Sequence, residues 1–357
     1  MKLNKLILSA FAGALFLTSC SSDDDAITEP APTGDYVNGM FIVNEANYGA
    51  GNSTISFYSE EGVLSNGIFA SVNGFDLGDT AQSMGFNDDL AYIVVNYSNK
   101  IEVVNRYTFE SVATVDTGLD NPRYIAFENG KAYVTNWADP TDTEDDYVAV
   151  IDLSSNTVIA SIAVAEGPEN ILEENDMIYV AHKGGYGYGT TISVIDPSTD
   201  AISTTIPVGD VPNAMEAENG KLYVICGGAP SWSSAETSGE LYVVNLADNT
   251  VETSYAFSGM VHPSNASIEN GTLYYTVDAA IYGMSLTATT LPETPIFSVT
   301  EQGAYGIYGF KAENNKIYVG DAVDYNSAGN VYIYSLTGDL QQTLSVGISP
   351  NGFYFNN

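Results

Sequence analysis

The sequence predicts an all-β protein: a seven-bladed β-propeller, four strands per blade, with the ring closed by the C-terminal strand joining blade one. Three observations predict it. The segment "NGKAYVTN" (129–136) recurs as "NDMIYVAH" (175–182), "NGKLYVIC" (219–226), "NGTLYYTV" (270–277) and "NNKIYVGD" (314–321), with weaker copies "DDLAYIVVN" (88–96) and "NGMFIVNE" (38–45). The aromatic anchors Phe41, Tyr92, Tyr133, Tyr179, Tyr223, Tyr274 and Tyr318 follow one another at 41 to 51 residues, the length of one blade. The rest of the chain has almost no helical periodicity, only short β-branched and aromatic runs broken by Asn, Gly, Asp and Pro. Ring closure is read from the ends: the first unit starts at its second strand, while the chain finishes on "SPNGFYFNN" (349–357), an opening strand with no blade after it. That last segment is expected to supply the innermost strand of blade one, a closure that leaves no open sheet edge.

Each unit reads in the same order. A Pro-led strand opens it, as in "NPRYIAF" (121–127), "GPENILE" (167–173), "VPNAMEA" (211–217) and "HPSNASI" (262–268). A tight polar turn and the anchor strand follow. Two outer strands close the unit, as in "VAVIDLSSNTVIASIAV" (148–164) and "ISVIDPSTDAISTTIPV" (192–208). The Asp, Ser, Thr and Asn at the centre of these form a hairpin turn, because their side chains hydrogen-bond their own backbone.

Composition narrows the function classes. A formal net charge of −35, from 10 Lys and Arg against 45 Asp and Glu, repels phosphate backbones and anionic headgroups. Nucleic acid is therefore not expected as a partner, nor a membrane held through charge. Two cysteines and two histidines, without any CxxC, give no zinc site. Cys226 reads as a small apolar residue at a strand end.

Cys20 differs. Lys2 and Lys5 precede an apolar run, "LILSAFAGALFL", too short to span a bilayer comfortably, and the run ends in "LTSC". Leu17, Thr18, Ser19 and Cys20 resemble the lipobox of bacterial lipoproteins, which implies a diacylated Cys20 as the mature N-terminus. The acidic "SSDDDAITEPAPTGD" that follows resembles the signal sending lipoproteins of the Bacteroidetes to the outer face of the outer membrane. The expected organisation is a signal peptide at 1–20, a flexible acidic tether at 21–37 and the propeller at 38–357.

The repeated unit, with Tyr133, Val134, Thr135 and Asn136 matching its namesake motif, resembles the YVTN-type propeller repeat of bacterial secreted and surface-layer proteins. The resemblance covers residues 38–357. It marks the fold rather than an activity.

Strand direction alternates within a blade, so short stereotyped turns share one face and long, unequal loops share the other. Variable loops on a rigid scaffold are where binding usually lives. Those loops carry Tyr48, Tyr97, Trp137, His182, Tyr186, Trp232 and Tyr325. The Pro-led connections add Gln82, Arg123, Tyr124, Asn170, Asn213, His262, Asn265, Tyr305 and Tyr308 near the central channel. Aromatic planes interspersed with amides suit a large, flat, amphipathic ligand, though any one ring could instead pack between blades. The acidic loop 139–146 lacks the ligand spacing of a Ca²⁺ site, and no metal or cofactor is expected. His182 and His262 have no nucleophile–base grouping around them, so catalysis is not expected. The loop "GGYGYG" (184–189) precedes no helix and is no phosphate cradle.

The whole-chain combination resembles the cobalamin-capturing surface lipoproteins of the Bacteroidetes. The resemblance implies capture of a corrinoid on one face and delivery to a TonB-dependent outer-membrane transporter, with the lipid anchor as the only membrane contact. A surface-layer or adhesion module binding a protein or glycan is the competing expectation, and a lyase-type propeller enzyme the remote one.

Overall fold

Seven four-stranded antiparallel sheets stand around a central channel. The computed structural model describes residues 32–139, 141–304 and 306–356. Cys20, the signal segment, most of the tether and Tyr305 lie outside the described residues. Blade three is representative: Pro122–Glu128 lines the channel, Lys131–Asn136 and Tyr147–Asp152 follow outward, and Thr157–Ala163 forms the rim. The Pro-led strand is thus the innermost of each blade that has one. The tight turns after it follow from their residues: Asn129 and Gly130, Asn219 and Gly220, and Asn270 and Gly271 all have φ between 51° and 74°. Two consecutive positive-φ residues make the hairpin turn that matches strand twist, and Asn-Gly tolerates it best.

Blade one is completed by Pro350–Asn356, which pairs with Gly39–Asn44 from Gly39↔Asn356 to Asn44↔Pro350. The ring therefore closes through its C-terminal strand, as the repeat predicts.

The core lies between neighbouring sheets. Tyr92, Tyr133 and Tyr179 are fully buried, and Tyr92 packs with Ala132, Val134 and Ala149 of the next blade. Two of the anchor tyrosines also lock blades together by their hydroxyls. Tyr133 donates to Asp200 Oδ1 at 2.6 Å and Tyr179 to Asn249 at 3.0 Å, each partner standing in the outer hairpin turn of the following blade. At blades three and four the anchor thus pairs with the turn chemistry of the next repeat, whereas the buried Tyr92 hydroxyl has no such partner.

Three local features depart from the expected pattern. The packed unit begins at Thr33, ahead of the boundary expected at 38. The cause is Tyr36, whose N–H donates to Tyr107 O at 3.0 Å and whose ring packs against Phe57 and Phe109. Blade one has a rim strand of only Leu64–Ser65, followed by a helix, Ile68–Asn73, that buries Ile68 and Phe69. Six residues are too few to leave a helical period in the sequence. Blade six has a rim strand of only Phe297–Ser298.

Candidate functional site

The long loops gather on one face, around the channel mouth, because each follows an anchor strand running toward that face. The inner strands reach it with a shared irregularity. In six of the seven, those starting at Ala81, Pro122, Pro168, Pro212, Pro263 and Pro350, the pairing register shifts within the first residues, after the first in five of them and after Ser264 in the strand from Pro263. Only Gly309–Glu313 pairs without a shift. A bulge at this point bends the strand and re-aims the next one or two side chains. Those side chains are Gln82, Arg123 and Tyr124, Glu169 and Asn170, Asn213, Asn265, and Asn351. A polar collar results from one repeated backbone device. Tyr124, Asn170, Asn213, Asn265 and Asn351 line a channel of about 540 Å³ beneath it.

Part of the collar is a buried ionic network. Arg123 donates to both carboxylate oxygens of Glu169 at 2.9 and 2.8 Å. Burial opposes the Glu169 charge, but Arg123, with Lys183 further off, outweighs it and holds the carboxyl below its usual range. Trp137 covers this pair, its ring centroid 4.3 Å from the Arg123 guanidinium carbon and its Nε1 donating to Pro168 O at 3.0 Å. The Tyr308 hydroxyl donates to Glu45. Burial raises the Glu45 carboxyl, with the Tyr308 bond and the Arg123 charge offsetting part of the rise. Gln82 Nε2 lies 3.5 Å from the Tyr124 hydroxyl. Asn351 donates to Ala81 O and Gln82 O, and Asn213 to Pro263 O, so backbone carbonyls fix how these amides point.

Outside the collar, aromatic rings stand in solvent. Tyr48 is 74 % exposed and lies 4.2 Å, centroid to centroid, from Tyr97. Tyr325 packs edge-on to Tyr308 at 5.5 Å, and Asn47 holds the Tyr325 carbonyl. Trp232, 72 % exposed, stands with His262 and Asn213 around a second cleft.

His182 corrects the expectation. It ends the strand Met177–His182 and is fully buried, its Nδ1 on Ala165 O at 2.9 Å and its Nε2 on Ser193 Oγ at 2.9 Å. Burial pushes the imidazole down to about 4, so it is a neutral core residue and not part of the face. Arg123 and Trp137 stand at the face but are turned onto Glu169 and Pro168. The loop carboxylates are likewise turned to backbone: Asp139 accepts from Thr141 N, and buried Asp146 from Gly167 N. Among the described residues, the one three-carboxylate group with metal-like spacing, Glu128, Glu173 and Asp176, belongs to the turn side.

Sequence reasoning passes over Glu45, Glu169, Lys183 and Asn351. For Glu169 and Asn351 a signal exists: both follow a strand-opening proline, as Arg123 and Asn213 do.

The fold and this face define the class: a closed seven-bladed propeller whose unequal loops surround a bulge-built polar channel mouth. The chain belongs to the family described as a domain of unknown function, DUF5074, whose model matches residues 38–355. No curated protein matches it significantly in sequence. Among solved structures it is similar to a quinonprotein alcohol dehydrogenase-like protein of Bacteroides thetaiotaomicron, with a TM-score of 0.66, 17 % identity, and 90 % and 79 % of the two chains covered. A functionally unknown protein of Desulfotomaculum acetoxidans gives 0.65 at 11 % identity, covering 89 % and 98 %. BamB of Moraxella catarrhalis gives 0.52 at 14 %, covering 91 % and 90 %. At such identities the likeness is one of fold alone.

Proposed function

We propose that the protein is a cell-surface lipoprotein, anchored through Cys20, that captures a large amphipathic nutrient ligand on the loop-rich face. A corrinoid such as cobalamin is the ligand, and a TonB-dependent outer-membrane transporter receives it. The observation that carries the reading is the set of solvent-facing rings, Tyr48, Tyr97, Tyr186, Tyr325 and Trp232, arranged around the polar channel mouth. Several large exposed aromatics on one face, bordered by amides, mark a binding surface rather than a core. A corrin is broad, amide-edged and close to neutral, so a face of ring planes and Asn side chains complements it. The first described residues are held on the turn side, where Tyr36 bonds to Tyr107 and Asn356. The role is binding without catalysis.

Isothermal titration of cyanocobalamin into protein lacking residues 1–20 tests this. Tight one-to-one binding is expected; no heat at micromolar protein overturns it. Capture of a glycan on the same face, with no corrinoid binding, would instead favour an adhesion module.

A further inference from the structure

The amides of the collar use their two ends unequally. Asn351 Nδ2 donates to Ala81 O at 3.2 Å and to Gln82 O at 3.0 Å. Asn213 Nδ2 donates to Pro263 O at 3.2 Å, and Asn265 Nδ2 to Thr276 Oγ1 at 3.0 Å. Acceptors beside the bulges thus take up the amide N–H groups, which settles which end of each amide is nitrogen. The oxygen ends gain no partner in return. Asn213 Oδ1, Asn351 Oδ1 and Gln82 Oε1 are all buried with no donor among the described residues. Gln82 is only 7 % exposed. A buried acceptor without a donor is costly, so three around one channel mouth point to a guest that supplies N–H groups.

Two donors remain on the same wall. The Tyr124 hydroxyl accepts from Gln82 Nε2 at 3.5 Å, which leaves its own O–H free, and Asn170 stands on the wall beside it. Charge at the mouth is already matched: Glu169 is paired with Arg123, Glu216 with Lys311, and Glu45 accepts from Tyr308. Glu313 also lines the channel, but at the end of its strand on the turn side. The collar is therefore built for a neutral dipole with more donors than acceptors, and a primary amide, with two N–H groups and one carbonyl, has that balance.

We infer that the channel mouth takes a primary amide arm, its N–H groups on the unpartnered collar oxygens and its carbonyl on a Tyr124 or Asn170 donor. This rests on the corrinoid reading, in which the arm is a propionamide, the longer of the two kinds of amide side chain at a corrin edge. A corrin held on the outer aromatic rings lowers that arm into the channel of about 540 Å³.

The test uses the three monocarboxylic acids of cyanocobalamin in which one propionamide is hydrolysed to a carboxylate, titrated into protein lacking residues 1–20. The three are isomers of equal charge, so repulsion from the acidic chain costs them alike. Only the isomer altered at the inserted arm loses the N–H donors. That isomer is expected to bind at least about tenfold more weakly than the other two. The gap is expected to narrow in Asn213→Ala or Asn351→Ala. Equal affinities for the three isomers, or a gap unchanged in both variants, overturn the inference while the capture reading stands. Failure to bind cyanocobalamin itself overturns the capture reading and the inference with it.

Discussion

Arg123 lies under Trp137, 4.3 Å from the indole centroid, while its guanidinium makes two hydrogen bonds to Glu169 of the next blade. One tryptophan therefore covers a buried ion pair and, through its Nε1 on Pro168 O, ties blade three to blade four. Its role is structural before it is anything else.

Trp137→Ala is expected to lower stability by about 2–3 kcal/mol, below the full cost of truncating a wholly buried aromatic because the ring is half-buried. Urea denaturation measures it. An unchanged midpoint together with weakened ligand binding would make the ring a ligand contact instead.

The His182 imidazole sits at about 4 when folded against an ordinary 6.5. In that window the unfolded chain binds more protons, so this contribution to stability is whole above about 6.5 and is lost as pH falls toward 4. His182→Gln should flatten the acid limb of a pH–stability curve there. A curve that keeps its slope in the variant would show that the histidine is not its source.

Asp146 has the opposite sign. Burial, with Asp145 and Glu166 nearby, raises its carboxyl from 3.8 to about 7. The folded state keeps the proton longer, so stability is full below about 4 and is lost as pH rises through 7, by at most about 1.4 kcal/mol per pH unit. Asp146→Asn should therefore gain stability over wild type at pH 8 and gain nothing at pH 4. Thermal unfolding at the two pH values is the check, and an equal gain at both would contradict it.

Tyr48→Ala and Tyr97→Ala remove exposed rings that support no core. Each is expected to change stability by no more than about 0.5 kcal/mol and to weaken cyanocobalamin binding about tenfold. Wild-type affinity in both variants would remove the tyrosine pair from the binding face.

Strand content, blade count and ring closure were legible because they are local and repetitive. The anchor aromatics fall at near-constant intervals, the Asn-Gly turns encode their own φ values, and a terminal strand without a blade must pair with a blade lacking one. The roles of individual face residues were not legible in the same way. His182 and Trp137 both stand at or just past the end of an anchor strand, yet one is sealed between sheets and the other lies on a neighbour's ion pair.

By itself, then, the sequence determined the propeller, its seven units and the face on which unequal loops meet. Tertiary structure decided which side chains of that face reach solvent. The reason is geometric: a bulge turns the collar residues at the channel mouth, and their partners come from blades 40 or more residues away, as Glu169 does for Arg123 and Pro263 for Asn213. No period in the chain records such a pairing.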